Sequence, residues 1–317
     1  MKYSLKRISI FIWGRFLMYR QRYFYPIIDR LHSTKLKVSI GDLMLLRGEI
    51  SQIQFLVASR LLDIEEHENS SNIVSNFRFQ HAISMHNSGT KYVSDDSFDR
   101  RFSSLIASYS KNGYDNDSYL FVDNRFTLEN GTHRLAMHLY MNIPYINAEY
   151  HYRKCTHQDG LYSYYKKSYD ILSTEIIKEV IVKYNKIQQW LIDEGQTFAC
   201  LVCSSKLSEI ENFINDMSVL VCVLRVKEIF QKERIYHLLD NFKQDDFKQN
   251  DLKSYLIQFR LSSPQYMVSG DTYFSKTVKN IDSVLNDRYP DRENIKYVIS
   301  ANCSEGYEIY RAIFAKS

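Results

Sequence analysis

Tyr119-Leu120-Phe121-Val122-Asp123-Asn124-Arg125-Phe126-Thr127-Leu128-Glu129-Asn130-Gly131-Thr132-His133-Arg134-Leu135-Ala136 decides how this chain folds. The first four residues are aromatic and branched, Asp123-Asn124 is turn-forming, and Arg125 to Leu128 resumes the extended pattern, which predicts a two-residue hairpin. Leu135, Ala136, Leu139 and Tyr140 then recur at helical spacing, with Asn130 or Thr132 available as N-cap and Asn142-Ile143-Pro144 closing the helix. Ile146 to Tyr150 predicts the next strand. Where a strand hands over to a helix, backbone N–H groups and the positive end of the helix dipole face outward. Gly131 there tolerates positive φ and lets a ligand approach with no Cβ in the way. His133 and Arg134 fall in the first helical turn, and an arginine can fork two donors onto phosphate oxygens. The arrangement suits a phosphate. The plainer reading is a capped helix with His133 and Arg134 solvated; the flanking strands weigh against it.

Leu105-Ile106-Ala107-Ser108-Tyr109-Ser110-Lys111-Asn112-Gly113-Tyr114, followed by Leu128 to Ala136, resembles the ParB/sulfiredoxin-like superfamily. The resemblance spans residues 38–150 and is sharpest from Ile106 onward. Members include partition-protein nucleotide-binding domains, sulfiredoxins, ParB-like nucleases and free-serine kinases. The resemblance implies an α+β domain that binds a nucleotide, ATP or CTP with Mg²⁺, through Asn130, Gly131, Thr132, His133 and Arg134. It implies catalytic roles for Glu129, His133 and Arg134, with Glu129 also the expected metal ligand. In the relatives that move a γ-phosphate, the substrate acid usually occupies the position of Asn130. An amide cannot take a proton from a hydroxyl, so the base falls to Glu129 or to a carboxylate from elsewhere, such as Glu49. The resemblance disfavours sulfiredoxin chemistry, because the cysteine of those members lies two residues before the histidine and Gly131 stands there.

A chain of 317 residues can hold two ordinary domains, each with its own core. Tyrosine and phenylalanine are abundant (25 and 18) while glycine and proline are scarce (10 and 4), which argues against long flexible linkers. The composition also suits an AT-rich bacterial gene. A net charge of +4 is too small to indicate nucleic acid by itself. Its distribution is uneven: Lys2, Lys6, Arg7, Arg15, Arg20, Arg22, Arg30, Lys35 and Lys37 crowd the first stretch against Asp29 alone. Interleaved with Ile8, Phe11, Trp13 and Phe16, they form a basic amphipathic segment over 1–37. It either packs on the body or touches an anionic membrane surface. Its apolar run breaks at Arg15, too soon to span a membrane, and it lacks a signal-peptide cleavage pattern. The expected location is cytoplasmic, with peripheral contact at the inner face of the membrane as the variant. Five cysteines, an odd number, then read as reduced thiols. Cys200 and Cys203 spell CxxC but sit in an apolar strand-like run and point to opposite faces, so they read as buried structural thiols.

The expected organisation is α/β: a ParB/sulfiredoxin-like α+β domain over 38–153, then a layered α/β domain over 160–317 with a mostly parallel sheet. In the first, Gln54 to Asp63 predicts a helix and 70–101 a loop-rich stretch containing His81 and His86. In the second, helices are expected at Ile171–Glu194, Leu207–Met217, Glu228–Phe242, Leu252–Phe259, Phe274–Asp287 and Tyr307–Phe314. Strands are expected at Phe198–Cys203, Val219–Val226, Tyr266–Ser269 and Tyr297–Ser300. The chain contains neither Gly-x-x-x-x-Gly-Lys-Ser/Thr nor Gly-x-Gly-x-x-Gly. Three functions compete. The first is a nucleotide-dependent phosphotransferase acting on a small hydroxyl acceptor, such as a sugar or polyol of a bacterial surface-glycan pathway. The second is a ParB-like nucleic-acid binder or nuclease, which predicts a basic groove and gains support where Arg100, Arg101 and the basic segment line one face. The third is a non-catalytic nucleotide sensor, kept open by Asn130.

Overall fold

The computed structural model describes residues 33–44, 52–69, 96–113, 119–152, 174–230, 252–262, 264–290 and 295–314, which together form a mixed α/β protein. Residues 1–32 of the expected basic segment over 1–37, Glu49, His81, His86, the expected helix Glu228–Phe242 beyond residue 230 and the polar junction near residue 155 lie outside these residues; residues 33–37 instead belong to a strand (Ser33–Ser39) and Glu228 ends another (Cys222–Glu228), correcting both readings. Among the described residues no helix is long and apolar enough to cross a membrane.

The first sheet contains β1 (Ser33–Ser39), β2 (Leu120–Val122), β3 (Leu128–Asn130) and β4 (Tyr145–His151), in the order β1-β4-β2-β3. β4 runs antiparallel to β1 and parallel to β2, and β2 pairs antiparallel with β3. Period-two alternation sends Leu36, Val38, Leu120, Val122, Ile146, Ala148 and Tyr150 into the core. Lys35, Lys37, Phe121, Asn147 and Glu149 fall on the other face, half-buried or exposed. The helices of this half are α1 (Ile40–Met44), α2 (Gln52–Asn69), α3 (Asp96–Asn112) and α4 (Thr132–Tyr140). α2 and α3 both pack against α4, contributing Val57, Ala58, Leu61, Ile64, Phe102, Ile106 and Tyr109 to one core with Leu135, Ala136, Met137 and Leu139. Burying each such aliphatic side chain is worth about 1.5–3 kcal/mol. Residues 96–101, expected in a loop, are the first turns of α3.

The second half comprises α5 (Thr174–Asp193), β5 (Phe198–Ser204), α6 (Leu207–Leu220), β6 (Cys222–Glu228), β7 (Lys253–Arg260), β8 (Tyr266–Ser269), β9 (Thr272–Ser275), α7 (Lys276–Arg288), β10 (Ile295–Ile299) and α8 (Cys303–Phe314). Its sheet runs β10-β5-β7-β6, and all three pairings are antiparallel. This corrects the expected mostly parallel sheet. The error enters at Leu252–Phe259, read as a helix and observed as strand β7, which lies between β5 and β6. Leu256, Ile257, Gln258 and Phe259 are all buried, because helices cover both faces of the sheet. A run buried on both sides loses period two and resembles a short buried helix. Phe274 and Ser275, expected to open a helix, instead finish β9, with Ser275 capping α7 by accepting from Val278 N.

The two faces of β5 carry different cores. Cys200 and Val202 join the larger one with Phe213, Met217, Ile281 and Leu285, whereas Ala199, Leu201 and Cys203 meet Ile309 and Ile313 of α8. The two thiols of the CxxC spelling therefore face opposite ways. Burial pushes the Cys200 thiol well up and Cys203 up to about 11, so both are protonated and unreactive at neutral pH.

The halves meet where β1 runs into α1. A Cβ on Gly41 would lie 2.1 Å from the Gln196 carbonyl oxygen, so only glycine lets α1 approach the segment before β5. The next residue, Asp42, is buried: Oδ1 accepts from Tyr266 Oη at 2.5 Å, Oδ2 from Tyr273 Oη at 2.5 Å, and both oxygens from Cys303 N at 3.1–3.2 Å. Cys303 opens α8, so the carboxylate also faces the positive end of that helix. Burial pushes the Asp42 carboxyl up, while the tyrosine and Cys303 donors pull it back.

Candidate functional site

The β2–β3 connection is longer than two residues, correcting the expected tight hairpin. Asp123 organises it: Oδ1 accepts from Arg125 N at 3.0 Å and Thr127 N at 2.9 Å, and Oδ2 takes Arg125 Nη2 at 3.3 Å. Asp123 N donates to Thr127 O at 2.9 Å, and Phe126 N donates to Asp123 O at 2.8 Å. An Asp side chain that satisfies two turn amides mimics backbone and stabilises a wider loop. Phe126 has φ of 57°, a left-handed conformation that costs a non-glycine residue about 1–2 kcal/mol. Its ring packs on Tyr266 at 4.7 Å, Tyr273 at 5.0 Å and Tyr150 at 5.5 Å, which offsets that cost. The hairpin tip thus docks on the same tyrosines that hold Asp42.

A bulge lies between this tip and the turn. Val122 pairs with Leu128 and Phe121 with Asn130, so Glu129 is an additional residue inserted into β3. Of Glu129 and Asn130 only the backbone path is described. Gly131 is the N-cap of α4, with φ of 111°, ψ of 18° and no side-chain cap bond. Neither Asn130 nor Thr132 is the N-cap, correcting the sequence reading: Asn130 is still paired in β3 and Thr132 is already helical. A Cβ at Gly131 would sit 2.6 Å from the Leu120 Cβ, so glycine is needed twice, for φ and for close packing on β2.

His133 and Arg134 sit side by side in the first turn, about 100° apart around the helix. Their side chains reach different neighbours. The His133 ring meets Phe102 of α3 edge-on at 4.5 Å, and Arg134 Nη1 donates to Tyr119 O at 2.6 Å. A guanidinium has five donors, so one bond to a carbonyl orients Arg134 without exhausting it. Behind His133 stands a pair that sequence reading missed: Arg60 lies over Phe102 at 5.9 Å and bonds Asp63 at 3.1 Å, both residues buried in α2. An arginine three residues before an aspartate on a predicted helix was the available signal.

Farther along α4, His138 is buried and its Nδ1–H donates to Tyr145 O at 2.8 Å. Burial lowers its pKa to about 4, partly opposed by that bond, so it is a neutral core histidine. On β4, Glu149 Oε1 lies 3.7 Å from His151 Nε2, and the His151 ring stacks on Phe121 at 5.3 Å. Residues 129–134 thus run from the end of β3 through Gly131 into the first turn of α4, Arg100 and Arg101 lie in α3, and Glu49 falls outside the described residues. No family model matches the chain, and no curated protein or solved structure matches it.

Proposed function

We propose that the chain binds a nucleotide by its phosphates at the β3–α4 turn and transfers the terminal phosphoryl group to a small hydroxyl acceptor, a sugar or polyol. The observation that carries this reading is Gly131, an N-cap without a side chain or side-chain bond at the head of a helix that also bears His133 and Arg134. The first amides of a helix have no intrahelical acceptor, and the helix dipole favours an anion there. The resemblance to ParB/sulfiredoxin-like proteins, and the free-serine kinases among them, supports the same reading.

In this scheme Arg134, aimed by the Tyr119 carbonyl, and His133, seated against Phe102, neutralise charge on the transferred group. Glu129, the residue that the bulge adds to β3, takes the acceptor proton. Among the described residues no cluster of three His, Cys, Asp or Glu could hold a metal. Mg²⁺ commonly rests on substrate phosphates, water and one or two carboxylates, and Glu129 is the carboxylate this scheme assigns to it.

The test is thermal melting with ATP or CTP and Mg²⁺, followed by a phosphoryl-transfer assay over a panel of sugars and polyols. Wild type is expected to melt higher with nucleotide, Arg134→Ala to lose the shift, and Glu129→Gln to keep the shift but lose turnover. Absence of a shift with either nucleotide overturns the reading. A shift without turnover in wild type favours the non-catalytic sensor.

A further inference from the structure

The joint between the two halves is closed by a carboxyl group sealed from water. Asp42 is 3% exposed, and the groups that face it are Tyr266 from β8, Tyr273 from β9 and Cys303 from α8. Among the described residues no lysine, arginine or histidine reaches it. Burial pushes both tyrosines and the Cys303 thiol well up, so all three keep their protons and none supplies a charge. A carboxylate closed off in this way carries a desolvation cost that hydrogen bonds repay only in part. The balance lifts the Asp42 carboxyl above its ordinary 3.8.

The partners of Asp42 differ in whether they can reverse their role. The Tyr273 oxygen accepts from Ser39 N at 3.1 Å, which commits its proton to Asp42. Cys303 N is an amide and only donates. The Cys303 thiol also bonds the carboxyl, and sulfur can both donate and accept. A proton arriving on Asp42 therefore finds an acceptor in Cys303 Sγ, while the two tyrosines and the amide go on donating to the carboxyl oxygens. We propose that Asp42 is a proton-linked clasp: as pH falls the closed joint takes up a proton between Asp42 and Cys303, opening the joint returns it to water, and the two halves grip less firmly as pH rises. Phe126 packs on Tyr266 and Tyr273, so a looser clasp also loosens the β2–β3 tip. The clasp is independent of what binds at the β3–α4 turn.

Urea unfolding of wild type and Asp42→Asn, compared from pH 4 to pH 8, tests the clasp. The amide keeps the shape, cannot ionise, and can donate to Cys303 Sγ as the protonated carboxyl does. A carboxyl raised on folding contributes fully below its unfolded value of 3.8, and the contribution is lost as pH rises through the folded value. The unfolding constant of wild type divided by that of Asp42→Asn should therefore climb with pH, by about ten-fold for each unit that folding raises the carboxyl. His138 works in the opposite sense but is present in both proteins and cancels. A ratio that stays level or falls overturns the clasp. A second reading leaves Asp42 in place: in protein ¹³C-labelled at its aspartate carboxyls, one resonance should titrate above 3.8, with a midpoint that Cys303→Ser moves. If no aspartate behaves so, the proton is not held there and the proposal fails.

Discussion

The Tyr273 hydroxyl donates to Asp42 across 231 residues of chain, at 2.5 Å, in a site closed to water. It also accepts from Ser39 N at 3.1 Å. One phenol thus ties β9 to the end of β1 and the start of α1. Removing it by Tyr273→Phe forfeits a buried hydrogen bond, worth about 0.5–1.5 kcal/mol, and strands the Ser39 amide. Asp42→Ala should cost more, because it leaves Tyr266, Tyr273 and the head of α8 short of their acceptor. Urea denaturation should show both losses, with Asp42→Ala the larger; a Tyr273→Phe protein as stable as wild type contradicts the arrangement.

Phe126→Ala tests whether the hairpin tip is held by packing. The left-handed backbone stays costly while the contacts with Tyr150, Tyr266 and Tyr273 go, so the expected loss is about 3–5 kcal/mol. Phe126→Gly removes the backbone strain as well and should be less harmful than alanine. The reverse order, read from equilibrium unfolding, would mean that the tip is not strained.

Two glycines reverse the usual helix rule. Alanine is favoured over glycine inside a helix by about 1 kcal/mol. Yet a Cβ at Gly306 in α8 would lie 2.1 Å from Thr197 O, and one at Gly41 in α1 would lie 2.1 Å from Gln196 O. Gly306→Ala and Gly41→Ala are therefore expected to lower the melting temperature, because each clash is with backbone that cannot swing aside. A rise in either variant contradicts the close packing on the segment around β5.

His138 gives the protein an acid-side weakness. Its folded pKa of about 4 lies below the usual histidine value of 6.5, so the unfolded chain binds the proton more readily. The contribution of neutral His138 is complete above pH 6.5 and is lost as pH falls toward 4, about 3 kcal/mol in all. His138→Gln, which can still donate to Tyr145 O, should flatten the stability profile between those pH values. An unchanged slope by urea titration at pH 7 and pH 5 would place the acid sensitivity elsewhere.

What the sequence made legible follows from how each element is buried. Strands solvated on one face, such as β4 with its alternation of Ile146, Ala148 and Tyr150, announce themselves by period two. Amphipathic α5 announces itself by helical period, within three residues of its observed start. β7 does not, because both its faces are covered, and misreading it turned an antiparallel sheet into a parallel one. The turn at Gly131 was legible because glycine at a strand-to-helix boundary has few other uses, and its φ of 111° agrees. The bulge at Glu129 was not legible, since it depends on the register between β2 and β3, which composition and periodicity do not set. Asp42 was passed over because its partners lie more than 220 residues downstream.

The central claim is that backbone amides at the head of α4 receive a nucleotide's phosphates, and the most direct measurement is NMR of protein labelled with ¹⁵N-glycine alone. The chain has ten glycines, few enough to assign by substitution. Titration with MgATP is expected to move the Gly131 resonance in a saturable way while Gly270, in the β8–β9 turn, stays in place. A Gly131 resonance that does not move while ATP saturates the protein, or an ATP titration that moves no glycine at all, contradicts the claim.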